Sequence, residues 1–261
     1  MAHLDPSRTA LELDDEELAA AGALLLMPDA KVLEKPEARE ILERLEAAGI
    51  SANRELQGYA ARIVAVLAQP QLRVMVERFA AESVQRDFAS VRGEFGVWGE
   101  PTKNGNEFTP IEPSLIAWAV SRAVGLGPRV EPGLSEPIEL RSSVFQNVIN
   151  HLAEVDVNAA DAVLEAEGLD TDIRKAVVQL VLDRRLSWRV FSAWRNGMGA
   201  EEASAVAVID GGESGLWFSE RLDIESSDPR IRLRPAKSSD VWERIVEVAL
   251  WPRGEEDDRA T

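Results

Sequence analysis

The sequence predicts a mixed α/β protein of the α+β class, with an antiparallel central sheet flanked by helices and an internal pseudo-two-fold repeat. One observation is a repeated hexapeptide, since residues 93–98 read GEFGVW and residues 212–217 read GESGLW. A second is that the predicted elements run in the order α-α-α-β-β-β-β-α on both sides of a connector rich in Gly and Pro. Two such units can bury the apolar faces of their helices against one continuous sheet when their strands join edge to edge.

Three helices open the first unit. Residues 13–27 carry four consecutive acidic side chains near their start, which suit the positive end of a helix dipole. Residues 36–48 have proline at the first helical position and end at Gly49. Residues 55–68 place apolar side chains at i, i+3 and i+4 spacing until Pro70 stops the pattern.

Four strands and a last helix complete the first unit. The strand segments are rich in β-branched and aromatic residues or flank a Gly-Glu turn that tolerates positive φ. They are residues 71–79, 87–92, 95–99 and 107–111. The last strand leads through Pro113 into an amphipathic helix that contains Trp118.

The second unit repeats this order with the same signals, and either Asp170 or Thr171 is suited to cap its third helix. Its predicted helices are residues 142–155, 158–167, 171–183 and a segment that starts near Ser238. Its predicted strands are residues 186–194, 203–209, 216–222 and 230–234. Trp242 takes the place in the last helix that Trp118 takes in the first unit.

The repeat divides the chain into four parts. Residues 11–128 form the first α-β-α half and residues 138–253 form the second. Residues 129–137 are the connector, because the stretch 125–137 holds three prolines and three glycines and supports neither helix nor strand. Residues 254–261 are acidic and lack an apolar anchor, so they are predicted to be a disordered tail.

Composition excludes several classes of function. The 46 acidic residues outnumber the 29 basic ones and give a net charge of −17, which disfavours binding to nucleic acid or to anionic lipid. The absence of cysteine excludes disulfides, thiolate nucleophiles and Cys-ligated metals. No apolar stretch reaches the roughly 18 residues of a membrane span, and no signal peptide is visible. We therefore expect a cytoplasmic protein without membrane insertion.

The sequence contains no catalytic, cofactor-binding or metal-binding set. His3 falls in an N-terminal stretch that is predicted to be disordered, and His151 lies in a predicted helix without a second histidine to assist it. Motifs for nucleotide binding, zinc peptidases and α/β-hydrolases are absent. We predict that the protein is not an enzyme and uses neither a cofactor nor a metal.

Two alternatives remain open at this stage. The first is an enzyme with a carboxylate site built from Asp210, Glu213 and Glu94, although these residues belong to the predicted hairpin turns and a turn is the favoured interpretation. The second is an acidic regulatory or structural protein that forms a homodimer through a sheet edge.

Basic and apolar residues alternate in residues 230–234, which places three arginines on one face of a strand. This cluster could bind a phosphate or an acidic peptide. We favour a solvated strand face whose arginines pair with Glu220, Asp223 or Glu225.

Aromatic residues supply the candidate protein-binding surface. The chain has seven Trp against one Tyr, and most of the Trp side chains are expected in the core. Neighbours in a strand point to opposite faces, so Trp98 with its neighbour Val97, and Trp217 with Phe218, place some apolar side chains outside the helix layer. The candidate protein-binding residues are Phe95, Trp98, Trp188, Trp194, Trp217 and Phe218.

Several segments resemble the EspG proteins of actinobacterial type VII (ESX) secretion systems. The N-terminal half of that family resembles residues 41–50 (ILERLEAAGI), the apolar helix that ends in LAQP at residues 67–70, and LRVMV at residues 72–76. The Gly-Glu-x-Gly-x-Trp strand pair, the VGLGP helix end at residues 124–128 and the Gly/Pro connector continue the likeness. The resemblance spans residues 11–252, and it rests on the order of elements because the family has no catalytic signature.

The resemblance implies a pseudo-two-fold protein that acts as a non-enzymatic cytosolic chaperone or adaptor. EspG-like proteins bind the tip of PE–PPE heterodimers through a sheet surface and a C-terminal helical subdomain, keep them soluble and deliver them for export. A WXG-type or PPE-like protein is the alternative cargo. The aromatic strands, the strong net charge and the lack of a catalytic set agree with this function, because a chaperone needs an apolar surface and high solubility but no reaction chemistry.

Overall fold

The computed structural model of the chain describes residues 2–250 except positions 6, 8, 81, 82 and 196–198. The predicted tail, residues 254–261, lies outside the described residues. The α-helices are α1 (Asp15–Leu26), α2 (Pro36–Ala47), α3 (Gly58–Ala68), α4 (Ile116–Ala123), α5 (Ser142–Ala153), α6 (Val157–Ala166), α7 (Thr171–Leu182) and α8 (Ser238–Ala249). Short 3-10 helices span Lys31–Glu34, Pro113–Leu115 and Gly212–Ser214.

The strands of the first part of the chain are β1 (His3–Asp5), β2 (Ala10–Leu13), β3 (Ser51–Ala52), β4 (Glu55–Leu56), β5 (Leu72–Phe79), β6 (Val84–Arg92), β7 (Phe95–Pro101) and β8 (Asn106–Ile111). The remaining strands are β9 (Ile138–Arg141), β10 (Leu186–Arg195), β11 (Glu201–Asp210), β12 (Leu216–Arg221) and β13 (Arg230–Ala236). Among the described residues, 11 strands form one antiparallel sheet in the order β1-β2-β8-β7-β6-β5-β10-β11-β12-β13-β9. The fold class predicted from the sequence is thereby confirmed. The pseudo-two-fold repeat and the boundaries of the four parts stay predictions.

Helix ends follow the sequence signals. The Asp14 side chain accepts the backbone N–H of Glu17 at 2.8 Å, and the Glu17 side chain accepts that of Asp14 at 3.1 Å, which completes a capping box at α1. Asp170 caps α7 by accepting two backbone N–H groups. Gly49 and Gly168 follow α2 and α6 with φ of 70° and 87°, the left-handed conformation that ends a helix.

The structure departs from the sequence prediction at short elements. Glu55–Leu56 pairs with Ser51–Ala52 in a two-stranded ribbon, so α3 begins at Gly58 and not at residue 55. His3 does not lie in a disordered N-terminus, because His3–Asp5 is an edge strand paired with β2. Strands β1, β2 and β9 have only three or four residues, too few for an alternation pattern to predict them.

The two faces of the sheet carry different helices. Val76 and Val190 are partners in the central strand pair β5–β10, and we define the front face as the side of the sheet to which they point. Helices α4 and α8 pack together over the centre of this face and bury both valines. The back face is the opposite side, to which Met75 and Phe191 point.

On the back face, helices cover the two ends of the sheet. Helices α1 to α3 enclose a core with Leu11, Val97 and Phe108 over strands β2, β7 and β8. Helices α5 to α7 enclose a second core with Trp217 and Leu233 over strands β9, β12 and β13. The centre of the back face lies between these two helical layers.

The repeated hexapeptide does not mark equivalent positions. The β6–β7 turn has two residues, 93–94, whereas the β11–β12 connection has five, 211–215. Because one connection has an even and the other an odd number of residues, positions of β7 and β12 that align in sequence point to opposite faces of the sheet. Trp98 points to the front face and Trp217 points to the back face. The two tryptophans that align in sequence therefore belong to different cores.

Candidate functional site

The centre of the back face is open to solvent. Phe79 and Val84 are 36% and 47% exposed there, and Ala193, Ala203 and Ala205 are exposed as well. We name this surface the open floor. It consists of the back-face side chains of β5, β6, β10 and β11 between the helical layers: Arg73, Met75, Glu77, Phe79, Val84, Arg86, Ser187, Arg189, Phe191, Ala193, Arg195, Glu201, Ala203, Ala205 and Ala207.

The open floor is wide enough to hold a helix. Its four strands lie about 4.8 Å apart, so its outermost backbones are about 14 Å apart, compared with about 10 Å for the diameter of an α-helix. Helix α3 packs over β6 and β7 on one side. On the other side, helix α7 comes close to the end of β11, where Leu180 lies near Gly211. The alanines of β11 keep the floor low, so that a helix can approach the strand closely.

A buried carboxylate sits in the middle of the open floor. Glu77 is 3% exposed, its Oε1 accepts a hydrogen bond from Arg86 Nε at 2.8 Å, and its Oε2 accepts one from Arg189 Nε. Burial alone raises the pKa of the Glu77 carboxyl, but the hydrogen bonds and charges of Arg189 and Arg86 outweigh burial and hold the pKa below its usual range. Glu77 therefore stays ionised and fixes two guanidinium groups side by side.

Aromatic rings line the floor and its α3 wall. The Arg189 guanidinium carbon lies 5.5 Å from the centroid of the Phe79 ring. At the wall, Tyr59 and Phe95 meet edge to face at 6.1 Å, and the Arg62 guanidinium carbon lies 4.3 Å from the Phe95 centroid. Phe95 is half-buried and packs against α3 and the core beneath it, so this member of the sequence-predicted set lies on the α1–α3 side of the back face.

Four other sequence-predicted residues are buried away from the open floor. Trp98, Trp188 and Phe218 are 5%, 2% and 4% exposed and pack on the front face against the α4–α8 layer, and Trp217 is 2% exposed under α5 to α7. Trp194 is half-buried on the front face at the end of β10, and it lines an open cleft of about 570 Å³ together with Arg73, Ala193, Arg195 and Glu201 of the open floor. Strand alternation is as predicted, but helices cover both faces at these positions, so the expectation of exposure is wrong for the four buried residues.

Sequence reasoning missed the residues of the open floor because few of them are aromatic. The signal that could have found them is alternation in β11, where alanines occupy positions 203, 205 and 207 and valines occupy 206 and 208. It also missed that Trp118 and Trp242, 54% and 38% exposed, are among the outward-facing residues of α4 and α8. These two side chains lie on the opposite side of the molecule from the open floor.

The candidate carboxylates do not form a site. Glu213 is exposed in the β11–β12 turn, close in sequence to Asp210. Glu94 lies in the β6–β7 turn at the opposite end of the central strands, about 23 Å away along a strand that runs from residue 72 to residue 79. Among the residues that the structure describes, no group of three or more His, Asp or Glu side chains is placed to hold a metal ion.

Asp210 has a structural partner in the connector. Its Oδ2 accepts a hydrogen bond from Arg129 Nη2 at 2.8 Å, its Oδ1 accepts one from Arg129 Nε at 3.1 Å, and Oδ1 also accepts the backbone N–H of Gly212 at 3.0 Å. Burial raises the pKa of the Asp210 carboxyl, but these bonds outweigh burial and the pKa lies below its usual range. Asp210 therefore holds Arg129, at the start of the predicted connector, against the end of β11.

The basic strand β13 is a paired strand face, as favoured from the sequence. Arg232 and Arg234 lie 4.0 Å and 3.8 Å from carboxylate oxygens of Glu220 on β12. Arg232 also contacts Glu139 on β9 at 2.7 Å, a partner in a strand that the sequence did not predict. The Arg234 guanidinium carbon lies 4.5 Å from the Phe218 ring centroid.

Fold and site define a class of mixed α/β protein in which one large antiparallel sheet leaves an open floor between two helical layers. The chain belongs to the EspG family, whose family model matches residues 33–247. Comparison with curated protein sequences gives no match. Within the described residues, no helix combines the length and apolar character needed to cross a bilayer.

A solved structure shares the fold over nearly the whole chain. It is the structure of the Mycobacterium tuberculosis type VII secretion system chaperone EspG5 in complex with the PE25-PPE41 dimer. The two chains are 18% identical, the TM-score is 0.57, and the match covers 95% of this chain and 99% of the other.

Proposed function

We propose that this protein is a non-enzymatic cytosolic chaperone of a type VII secretion system, which holds a helical PE–PPE type partner on the open floor. Membership of the EspG family supports the proposal, and so does the structural likeness to EspG5, a type VII secretion system chaperone whose structure was solved in complex with the PE25-PPE41 dimer. The observation that carries it is the open floor itself, an exposed and partly apolar strip of sheet that is wide enough to hold one helix.

The open floor fits such a partner physically. Exposed apolar surface in the centre of a sheet is costly in water, and a protein partner that covers it removes that cost. Met75, Phe191 and Phe79 supply the apolar contacts, and the alanines of β11 allow a close approach. The net charge of −17 supports solubility of a chain that displays such a surface.

The two alternatives from the sequence have weaker support. An enzyme would need converging acids, whereas Asp210 is clamped by Arg129 and Glu94 lies at the other end of the sheet. At the two ends of the sheet, β1 and β9 have three and four residues and offer few hydrogen bonds to a second chain, which weakens homodimer formation through either of these end strands.

Co-expression tests the proposal. The chain is produced with each PE–PPE pair and each WXG-type pair of its source genome and analysed by size-exclusion chromatography. We expect a stable complex with a PE–PPE pair, and we expect Ala205→Arg to abolish it because a long charged side chain would stand up from the floor. Ala153→Arg is the matched control, an exposed alanine at the end of α5 that should leave the complex intact.

Three outcomes would contradict the proposal. If neither a PE–PPE pair nor a WXG-type pair co-elutes with the chain, the chaperone function is wrong. If a pair co-elutes equally well with the folded Ala205→Arg variant, the open floor is not the binding surface. Binding of a WXG-type pair alone would show that the cargo class is wrong.

A further inference from the structure

The open floor carries a charge opposite to that of the whole molecule. Its described residues include four arginines, at positions 73, 86, 189 and 195, and two glutamates, at positions 77 and 201, for a net charge of +2. The full chain has a net charge of −17. A basic strip in an acidic molecule creates a local field that favours anionic groups at that strip.

The central charges are arranged so that the positive groups face solvent. The side chains of Arg86 and Arg189 are 63% and 54% exposed, whereas that of Glu77 is 4% exposed beneath them. The carboxylate thus orients both guanidinium groups but is hidden from a partner. A guanidinium already held in place loses less entropy when it binds a second carboxylate.

The remaining charges of the floor are less directed. Arg195 and Glu201 form an exposed pair at 3.3 Å with 74% and 79% of each side chain in solvent, so they contribute little to a net field. Arg73 donates from Nη2 to the carbonyl oxygen of Leu67 at 3.2 Å, in the last turn of α3. The pair Arg86 and Arg189 is therefore the strongest anion-facing feature of the open floor.

We propose that the open floor selects a helical segment that carries Asp or Glu side chains beside its apolar stripe, with Arg86 and Arg189 as the carboxylate-binding residues. This inference rests on the proposed function and adds the chemistry of the partner's contact surface. Apolar groups of the partner lie on Met75, Phe191 and the alanines, while a carboxylate meets the two guanidinium groups. The acidic remainder of the molecule repels the same partner, which directs it to the floor.

Affinity measurements on the PE–PPE pair that binds in co-expression test this inference. We expect Arg86→Gln and Arg189→Gln each to weaken binding about three- to tenfold, because each removes one charged contact. Each single variant leaves Glu77 with one arginine, so folding is retained, and circular dichroism verifies this. The matched control is Arg122→Gln on α4, where the side chain is 65% exposed, so that the global charge changes equally on the other side of the molecule.

Salt dependence separates a charged contact from a structural effect. Raising NaCl from about 50 mM to about 300 mM should weaken the native complex more than the Arg86→Gln or Arg189→Gln complex, because screening acts only on charges that are present. In the partner, replacing Asp and Glu of the contacting segment by Asn and Gln should remove the difference in affinity between the native chaperone and its arginine variants. The four combinations of native and variant partners form a double-mutant cycle, which measures the coupling between the two charges.

The results distinguish this inference from the proposed function. If no PE–PPE pair binds at all, the proposed function fails and this inference falls with it. If a pair binds and the Arg86→Gln, Arg189→Gln and Arg122→Gln variants have the same affinity and salt dependence as the native chain, only the acidic-partner inference is overturned. A truncation after residue 253 could by itself remove the difference in affinity between the native chain and the Arg86→Gln variant. In that case the chain's own acidic tail occupies the floor, and the inference that Arg86 binds an acidic partner is also overturned.

Discussion

At the scale of single residues, Asp210 shows how a group that resembles a catalytic acid serves the fold. Its carboxylate is 5% exposed and receives two hydrogen bonds from Arg129, whose side chain is 17% exposed. In a buried ion pair of this kind, the loss of one partner strongly destabilises the fold, because the other charge is left poorly solvated. The interaction joins residue 129, at the start of the predicted connector, to the end of β11.

We predict that Asp210→Asn lowers the free energy of unfolding by about 3 kcal/mol at neutral pH. The folded-state pKa of Asp210 is below the unfolded value, so its contribution is complete above the unfolded pKa of about 3.9 and is lost as pH falls through the folded pKa. The stability gap between native and variant should therefore narrow below about pH 4. Urea unfolding at a series of pH values measures this gap.

The control for this prediction is Glu213→Gln, which removes a carboxylate from an exposed position in the same turn. We expect it to change stability by no more than about 0.5 kcal/mol at any of these pH values. A gap for Asp210→Asn that stays constant with pH would show that the charge of Asp210 does not contribute to folding.

At the scale of elements, the β11–β12 hairpin differs from the β6–β7 hairpin because the connector crosses it. Gly215 has a φ of 80°, and a Cβ added there would lie 2.6 Å from the carbonyl oxygen of Val130. The five-residue connection and its glycine thus leave room for the connector. The β6–β7 turn, which needs no such room, closes in two residues.

We predict that Gly215→Ala lowers the free energy of unfolding by about 2–3 kcal/mol, because it combines a strained backbone conformation with a clash against backbone. Gly133→Ala is the matched control in the connector itself, since its φ is not in the left-handed region and an added Cβ meets nothing within 4 Å. Gly133→Ala should be neutral or slightly stabilising. Thermal unfolding of the two variants side by side checks the prediction, and equal stabilities would refute it.

The bounds of the elements can be predicted from the sequence more fully than the exposure of their side chains. Strands β5 and β10 and helices α2, α5 and α7 are long and strongly patterned, and their predicted bounds agree with the structure to within two residues. Alternation also predicts that Trp217 and Phe218 point to opposite faces. Alternation along a strand does not say which face a distant helix covers. For this reason the sequence predicts exposure for residues that α4, α8 and the α5–α7 layer bury.

At the scale of the whole molecule, one sheet joins both halves of the chain. The central strands β5 and β10 pair from Leu72 opposite Trp194 to Phe79 opposite Ser187. Helices α4 and α8, one from each half, share the core beneath that pair. The open floor spans the same junction on the back face, because it is built from β5 and β6 on one side of the β5–β10 pair and from β10 and β11 on the other.

We predict from this architecture that the two halves unfold together. Val190 is fully buried at the centre of the front face, and Val190→Ala should lower the free energy of unfolding by about 1–3 kcal/mol through the cavity it creates. Because the β5–β10 pair links the halves, hydrogen exchange should accelerate by a similar factor in β7 of the first half and in β12 of the second. Val157→Ala, at a 43% exposed position on α6, is the control and should leave both strands protected. Acceleration confined to β12, or two separate unfolding transitions, would mean that the halves are independent domains and that the open floor can be lost without unfolding either of them.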